Sequence, residues 1–243
     1  MIALFTDFGS DDIYVAQIKA ALLKQLHRPV PIIDLLQSVP AFDIAAGAHL
    51  LAALQPSFSP RTVFLAVVDP GVGTERGAVV VEADDRWFVG PDNGLLSVVA
   101  ARATEARTWR VLWRPPALSA SFHGRDLFAP IAAWIASGTL PDDKLEPAPG
   151  LAVQLGAADR PNVIYIDHYG NALTGLRACN VPANAALSVA GRGIDHARVF
   201  ADARPGNAFW YGNSIGLVEI AANRASAAEL LGVAVGDPVS VHR

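Results

Sequence analysis

Apolar residues follow two different rhythms along this chain, and the change of rhythm divides it. Up to about residue 140, short continuous apolar runs alternate with helix-spaced ones. Ile2-Ala3-Leu4-Phe5 reads as a buried strand ending at Thr6-Asp7-Phe8-Gly9. Ser10-Asp11-Asp12 then offers cap residues to a helix with Ile13, Val15, Ile18, Ala21 and Leu22 at helical spacing. A second strand follows at Val30–Leu35. An Ala-rich helix opens at Ala41-Phe42-Asp43, runs to about Leu54 and is closed by Pro56 and Pro60. Val63–Val68 is a third strand, halted by Asp69-Pro70-Gly71-Val72-Gly73. Ala78–Glu82 and Arg86–Val89 predict a strand pair joined at Asp84-Asp85, and Gly90-Pro91-Asp92-Asn93-Gly94 is a turn before a helix over Leu95–Ala101. Thr108–Trp113 predicts a strand, and a helix from Leu127 to about Ser137 carries Pro130 in its first turn.

Beyond this the pattern changes. Residues 140–155 are rich in Pro and Asp and read as a linker. Asn162–Ile166, Ala186–Val189, Ala197–Phe200 and Val239–His242 are short strands split by Gly, Asn and Pro, with little helix between them. The fold class expected is therefore α/β: an amino-terminal α/β sandwich-type domain over residues 1–150 with a mostly parallel central sheet, and a small antiparallel carboxy-terminal domain over residues 156–243.

Composition narrows the function. With 52% apolar and 17% charged residues, the 243-residue chain has ample material for a core. A formal charge of −4 without a basic block argues against nucleic acid as partner. The single Cys179 excludes an internal disulfide and a Cys-based zinc site, and is expected as a small buried or half-buried residue. No secretory leader is visible, and no apolar run reaches the roughly 18–20 residues of a membrane helix. A soluble cytoplasmic protein with no membrane partner is expected. Neither a P-loop, nor a Gly-x-Gly-x-x-Gly cradle, nor a Gly-x-Ser-x-Gly elbow occurs, and the six histidines lack metal-ligand spacing. No metal is expected.

What remains is a set of polar loops. Asp69 ends a predicted central strand, where open α/β sheets place ligands, and Arg76 lies seven residues on. The alternative is a structural turn with a solvated arginine. Asp7 and Asp12 flank a strand-to-helix turn, where a carboxylate suits paired ribose hydroxyls; capping accounts for one or two of the three acidic residues there. Ser121-Phe122-His123-Gly124-Arg125-Asp126 places a histidine at a helix entrance, either facing a ligand or satisfied by packing. Asp167-His168-Tyr169-Gly170-Asn171 and Tyr211-Gly212-Asn213-Ser214-Ile215-Gly216 add hydrogen-bonding loops in the second half. Together they suit a polar, phosphate-free ligand.

These loops, in this order along nearly the whole chain, resemble the S-adenosyl-L-methionine (SAM) hydroxide adenosyltransferase, or SAM hydrolase, family, relatives of the SAM-dependent fluorinase and chlorinase. The resemblance implies a β-barrel-like second domain, a homotrimer with sites between subunits, and hydrolysis of SAM to adenosine and L-methionine with no added cofactor. It assigns Asp69, Arg76 and His123 to positioning the nucleophilic water. Asp7 and Asp12 face the ribose, and Phe42 stacks near the sugar or adenine, with Phe122 also at the substrate. Asp167 takes the methionine ammonium, Asn171 the adenine edge and Ser214 the methionine carboxylate, with Tyr169 beside them. The chain departs from the family at Gln37, where a His is usual, and at Gly175, where Asn is frequent. Tyr14 and Ile215 stand where the fluorinase has Ser and Arg. Two other readings share these residues: a non-catalytic SAM- or adenosine-binding protein, and a SAM-dependent chlorinase, against which Asp69 argues because a carboxylate repels a halide.

Overall fold

The structure, a computed structural model, describes residues 1–242 and divides into two compact units, Met1–Ala157 and Ala158 onward. In the first, strands β1 (Ile2–Thr6), β2 (Ile32–Leu36), β3 (Val63–Val67), β4 (Ala78–Ala83), β5 (Arg86–Pro91), β6 (Ala106–Val111) and β7 (Leu145–Ala148) form one sheet in the order β2-β1-β3-β5-β4-β6-β7. The four strands from β2 to β5 run parallel, and β4, β6 and β7 extend them antiparallel. β1 and β3 are buried at every position, as continuous apolar runs require when helices cover both faces.

The helices explain how. Helix α1 (Ile13–Gln25) connects β1 to β2, and α2 (Ile44–Leu54) carries the chain back past β1 to β3. Two right-handed crossovers in opposite directions put their helices on opposite faces. α1 and α4 (Ala129–Ser137) pack with Ile2, Leu4, Val63, Leu65 and Val67 in one core. α2 packs on α3 (Ser97–Arg102), and Gly47 of α2 lies against Val39, Val68 and Leu95.

The segment expected to be a linker is structured. It contributes edge strand β7, and beyond it Ala152 N–H donates to Asp92 (3.0 Å) and Leu155 N–H to Ser97 Oγ (3.1 Å). Pro147 sits on an edge strand, the place in a sheet where a missing donor costs least.

The second unit is antiparallel. β8 (Arg160–Ile166), β9 (Ala172–Arg177), β12 (Ala208–Gly212) and β13 (Leu217–Ala222) make a four-stranded sheet. β10 (Ala186–Val189), β11 (Arg192–Ile194) and β14 (Val239–His242) make a three-stranded one. Single bridges join the sheets at both edges, His196 to Trp210 and Asn162 to Pro238, which gives the unit its barrel character. Val163, Leu187, Trp210, Val218 and Ile220 fill its interior, and α5 (Ala227–Leu231) packs on β13. The strand expected at Ala197–Phe200 is absent; that stretch is a turn leading into a 3₁₀ segment at Phe200–Asp202. Cys179, expected buried or half-buried, is exposed.

Gly175 lies where a side chain has little room. A Cβ at that position would lie 2.6 Å from the Arg160 carbonyl oxygen, because β8 approaches β9 closely where their register is irregular. Gln37 is likewise structural. Its buried side chain accepts from Thr6 Oγ1 (2.5 Å) and donates to Asp34 (3.0 Å), tying together the ends of β1 and β2.

Candidate active site

The chain leaves β1 for β2 on one side and returns to β3 on the other, so the carboxyl ends of β1 and β3 flank a topological switch point. Side chains there diverge from neighbouring strands and leave a crevice. Asp7 follows β1 and Asp69 follows β3, and both line a cavity of about 310 Å³. Asp12, Phe42, Phe122 and His123 line the same cavity, so six of the predicted residues converge there. Tyr14 joins them, edge-on to Phe122 and tilted against Phe8, which is itself edge-on to Phe122.

Arg76 lies outside the lining and holds two of these residues. Its Nε donates to Asp69 Oδ1 (2.9 Å) and Oδ2 (3.0 Å), and its Nη2 donates to Asp69 Oδ2. The same Nη2 meets His123 Nδ1 at 3.0 Å, and Nη1 donates to the Gly77 carbonyl (3.2 Å). The Asp69 and Arg76 side chains are 5% and 10% exposed, and the guanidinium lies 5.2 Å from the Phe128 ring centre. A guanidinium only donates, so Nδ1 of His123 must accept. The imidazole is then neutral with its proton on Nε2. Burial, and next the charge of Arg76, hold its pKa below the ordinary 6.5, which agrees with that state.

Local structure sets each group. Asn93 donates to the Val68 carbonyl (2.9 Å) and braces the chain just ahead of Asp69, so the Gly-Pro-Asp-Asn-Gly turn supports the site without lining it. Gly73, at φ +81°, lets the Asp69 loop approach the His123 loop; a Cβ there would sit 2.5 Å from the Ala120 carbonyl oxygen. His123 precedes a π-helical turn, Gly124–Phe128, a distortion that helices frequently carry at functional sites. Asp126 fixes this loop by accepting from Ser119 N–H (3.0 Å) and pairing with Arg125.

Asp7 accepts from the backbone N–H of Phe42 (3.1 Å), whose φ of +64° is unusual for an aromatic residue. Burial raises the Asp7 pKa above the usual carboxylate value, and the charge of Asp69 adds to the rise. Asp12 caps α1 through Ile13 N–H (2.6 Å) and is exposed.

The remaining predicted residues line a cavity of about 700 Å³ within the second unit: Asp167, Tyr169, Asn171 and Ser214. Asp167 Oδ1 accepts from the N–H groups of Tyr169 and Asn171 (2.9 Å each), and Oδ2 from Asn171 Nδ2 (2.9 Å). Sequence reading did not single out Glu219, which lines this cavity at 5% exposure and accepts from Tyr211 Oη (2.7 Å) and Asn213 Nδ2 (2.8 Å). The available signal was a lone acidic residue inside Leu217-Val218-Glu219-Ile220-Ala221-Ala222. Among the described residues no three of His, Cys, Asp and Glu gather as a metal-binding group, and no helix is long and apolar enough to cross a membrane.

A switch-point cavity with aromatic walls and a buried Asp–Arg–His cluster defines a small-molecule enzyme of the α/β class. The chain belongs to the SAM hydroxide adenosyltransferase family: the model of that family's N-terminal domain matches residues 2–145, and that of its C-terminal domain residues 161–240. A Salinispora arenicola protein named (R)-S-adenosyl-L-methionine hydrolase is 39% identical over 99% of this chain and 97% of its own length. One from Thermus thermophilus with the same name is 37% identical over 98% of each. A fluorinase from an Actinoplanes species is more distant, at 26% identity over 57% of this chain and 55% of its own. A solved structure of a conserved Thermotoga maritima protein superposes with a TM-score of 0.89 over the full length of both chains at 31% identity. One from Thermus thermophilus gives 0.79, covering 99% of this chain and 98% of that one at 36% identity.

Proposed function

We propose that this enzyme hydrolyses SAM to adenosine and L-methionine by in-line attack of water on the ribose C5′. The observation that carries the reading is the buried Asp69–Arg76–His123 cluster at the switch-point cavity, in a chain whose full-length relatives bear the name SAM hydrolase. The C5′–O bond forms as the C5′–S bond breaks. The sulfur takes the electron pair and becomes the neutral thioether of methionine. A sulfonium leaves readily, so the protein's work is to align one water, and orientation of this kind can supply on the order of 7–11 kcal/mol.

The hydrogen-bond roles within the cluster divide the labour. With Nδ1 of His123 accepting from Arg76, the protonated Nε2 donates to the oxygen of the water. Asp69 has the acceptor capacity for its proton. Asp7 and Asp12 bind the ribose hydroxyls, with Phe42 and Phe122 against the nucleoside. Asn171 reads the adenine edge through its carbonyl, its amide group being held by Asp167. Ser214 takes the methionine carboxylate, and Tyr169 stands beside it. A homotrimer with sites between subunits, acting in the cytoplasm, completes the proposal; light scattering should return three times the chain mass.

Incubation with SAM in chloride buffer made with ¹⁸O-water tests the reaction by mass spectrometry. The expected products are methionine and adenosine labelled at the 5′-hydroxyl. 5′-Chloro-5′-deoxyadenosine would make the protein a halogenase, and bound but intact SAM would make it a non-catalytic binder.

A further inference from the structure

Arg125 lies two residues beyond His123 in the π-helical turn, and its fork reaches in two directions. Nε and Nη2 donate to the two oxygens of Asp126 (2.6 and 3.0 Å), which leaves Nη1 to donate to Gln17 Oε1 on α1 (2.9 Å). Both ends are tied onward. Asp126 accepts from Ser119 N–H (3.0 Å), and Gln17 Nε2 donates to the carbonyl of Ile13 (3.3 Å), the first residue of α1. The guanidinium also lies 5.1 Å from the centre of the Phe122 ring. A bidentate carboxylate pair fixes the plane of the fork, so its third arm arrives at Gln17 already aimed.

One planar cation therefore joins the His123 loop to the start of α1. These two segments supply different parts of the lining of the 310 Å³ cavity: Asp12 and Tyr14 from the helix start, Phe122, His123 and Gly124 from the loop. They meet closely. A Cβ on Gly124 would lie 3.2 Å from Ile18 Cδ1 and 3.4 Å from Phe8 Cζ. Gln17, Arg125 and Asp126 themselves line a different groove, of about 500 Å³, and none of the three lines the cavity. Arg125 thus reaches the reaction only through the groups it holds.

We propose that Arg125 is a positioning residue which, by stapling Gln17 of α1 to the His123 loop, sets the spacing between the ribose-facing carboxylates and the nucleophilic water. The inference rests on the hydrolase reading above for its chemistry and on the staple alone for its geometry. Ribose is held from the strand-to-helix turn and the water from the loop. A change in their spacing misaligns the oxygen behind C5′ while leaving the nucleoside contacts in place, and misplacement by about 1 Å costs on the order of 100-fold in rate.

The test uses the full-length chain with Gln17→Leu, which removes the acceptor, and Gln17→Glu, which keeps one. In Gln17→Leu, kcat at saturating SAM should fall by about tenfold while adenosine affinity by calorimetry stays within about threefold; in Gln17→Glu, both should stay within about threefold of wild type. Amide exchange without ligand should be about tenfold faster over residues 119–128 in Gln17→Leu, unchanged there in Gln17→Glu, and unchanged in β1 and β3 of both. Wild-type kcat in Gln17→Leu, equal loss in the two variants, or adenosine affinity falling in parallel with kcat overturns the proposal. So does unaltered exchange in the loop. SAM left intact by the wild type would defeat the hydrolase reading, and the exchange measurement, which needs no turnover, would still decide whether the staple holds the loop.

Discussion

Replacing Arg76 with lysine keeps the positive charge and removes the planar fork. Arg76 engages Asp69 through Nε and Nη2 while the same Nη2 reaches His123 and Nη1 reaches the Gly77 carbonyl. A lysine carries its three donors on one atom, so it can meet the Asp69 carboxylate but not, at the same time, the histidine and the Gly77 carbonyl on either side. Asp69 stays paired, which avoids the roughly 3–5 kcal/mol penalty of an isolated buried charge. What is lost is the charge-assisted bond that fixes the His123 tautomer and ring plane, worth about 1.5–3 kcal/mol. If that orientation matters only when the water attacks, kcat falls by about 10- to 150-fold. Because Arg76 does not line the cavity, KM should stay within about threefold. Each kcal/mol lost should lower the melting temperature by about 2–4 °C for a chain of this size. Adenosine release at saturating SAM, followed by chromatography, measures the rate, and a thermal melt measures the stability. Turnover within threefold of wild type, or a defect carried wholly by KM, refutes the idea that Arg76 acts through His123.

His123 should set the acid side of the rate profile. Its pKa is pulled below 6.5, chiefly by burial and then by Arg76 and Arg114, against the opposing charges of Asp69 and Asp126. The acid limb of kcat/KM therefore lies below pH 6.5, and an inflection at or above that value contradicts the neutral state. Stability follows the same sign: between the folded and unfolded pKa values the unfolded chain binds more protons, so stability declines as pH drops below 6.5. Asp7→Asn removes a carboxylate whose ionisation burial disfavours. The variant should melt no lower than wild type at pH 8 and bind SAM about tenfold more weakly, the scale of a charged hydrogen bond; a lower melt with unchanged binding would assign Asp7 to structure alone. Gly175→Asn forces a side chain against Arg160 and should cost about 1–3 kcal/mol in urea unfolding, and an unchanged midpoint would show that β8 yields there.

Much of the first unit was legible because its strands and helices differ in period. Ile2–Thr6 and Val63–Val67 are apolar at every position, α1 repeats Val15, Ile18 and Leu22, and each strand stops at an acidic loop. The second unit was harder to read. β9, β12 and β13 are short strands separated by Gly and Asn turns, and nothing local distinguishes their pairing, so Glu219 passed as one charge among apolar neighbours. β7 was masked by two prolines' worth of turn signal around it, although an edge strand tolerates Pro147.

By itself the sequence determined which chemical groups are available and the local elements that carry them: carboxylates after β1 and β3, a histidine at a helix entrance, an arginine seven residues beyond Asp69. Only the tertiary structure decided that β1 and β3 lie side by side with the crevice between them, that one guanidinium bonds both Asp69 and His123, and that Glu219 comes to the wall of the second unit's cavity beside Tyr211 and Asn213. Periodicity is a property of neighbours along the chain. Desolvation, proton location and the pairing of charges depend on neighbours in space, which the chain acquires only once long-range strand pairing and packing have fixed them.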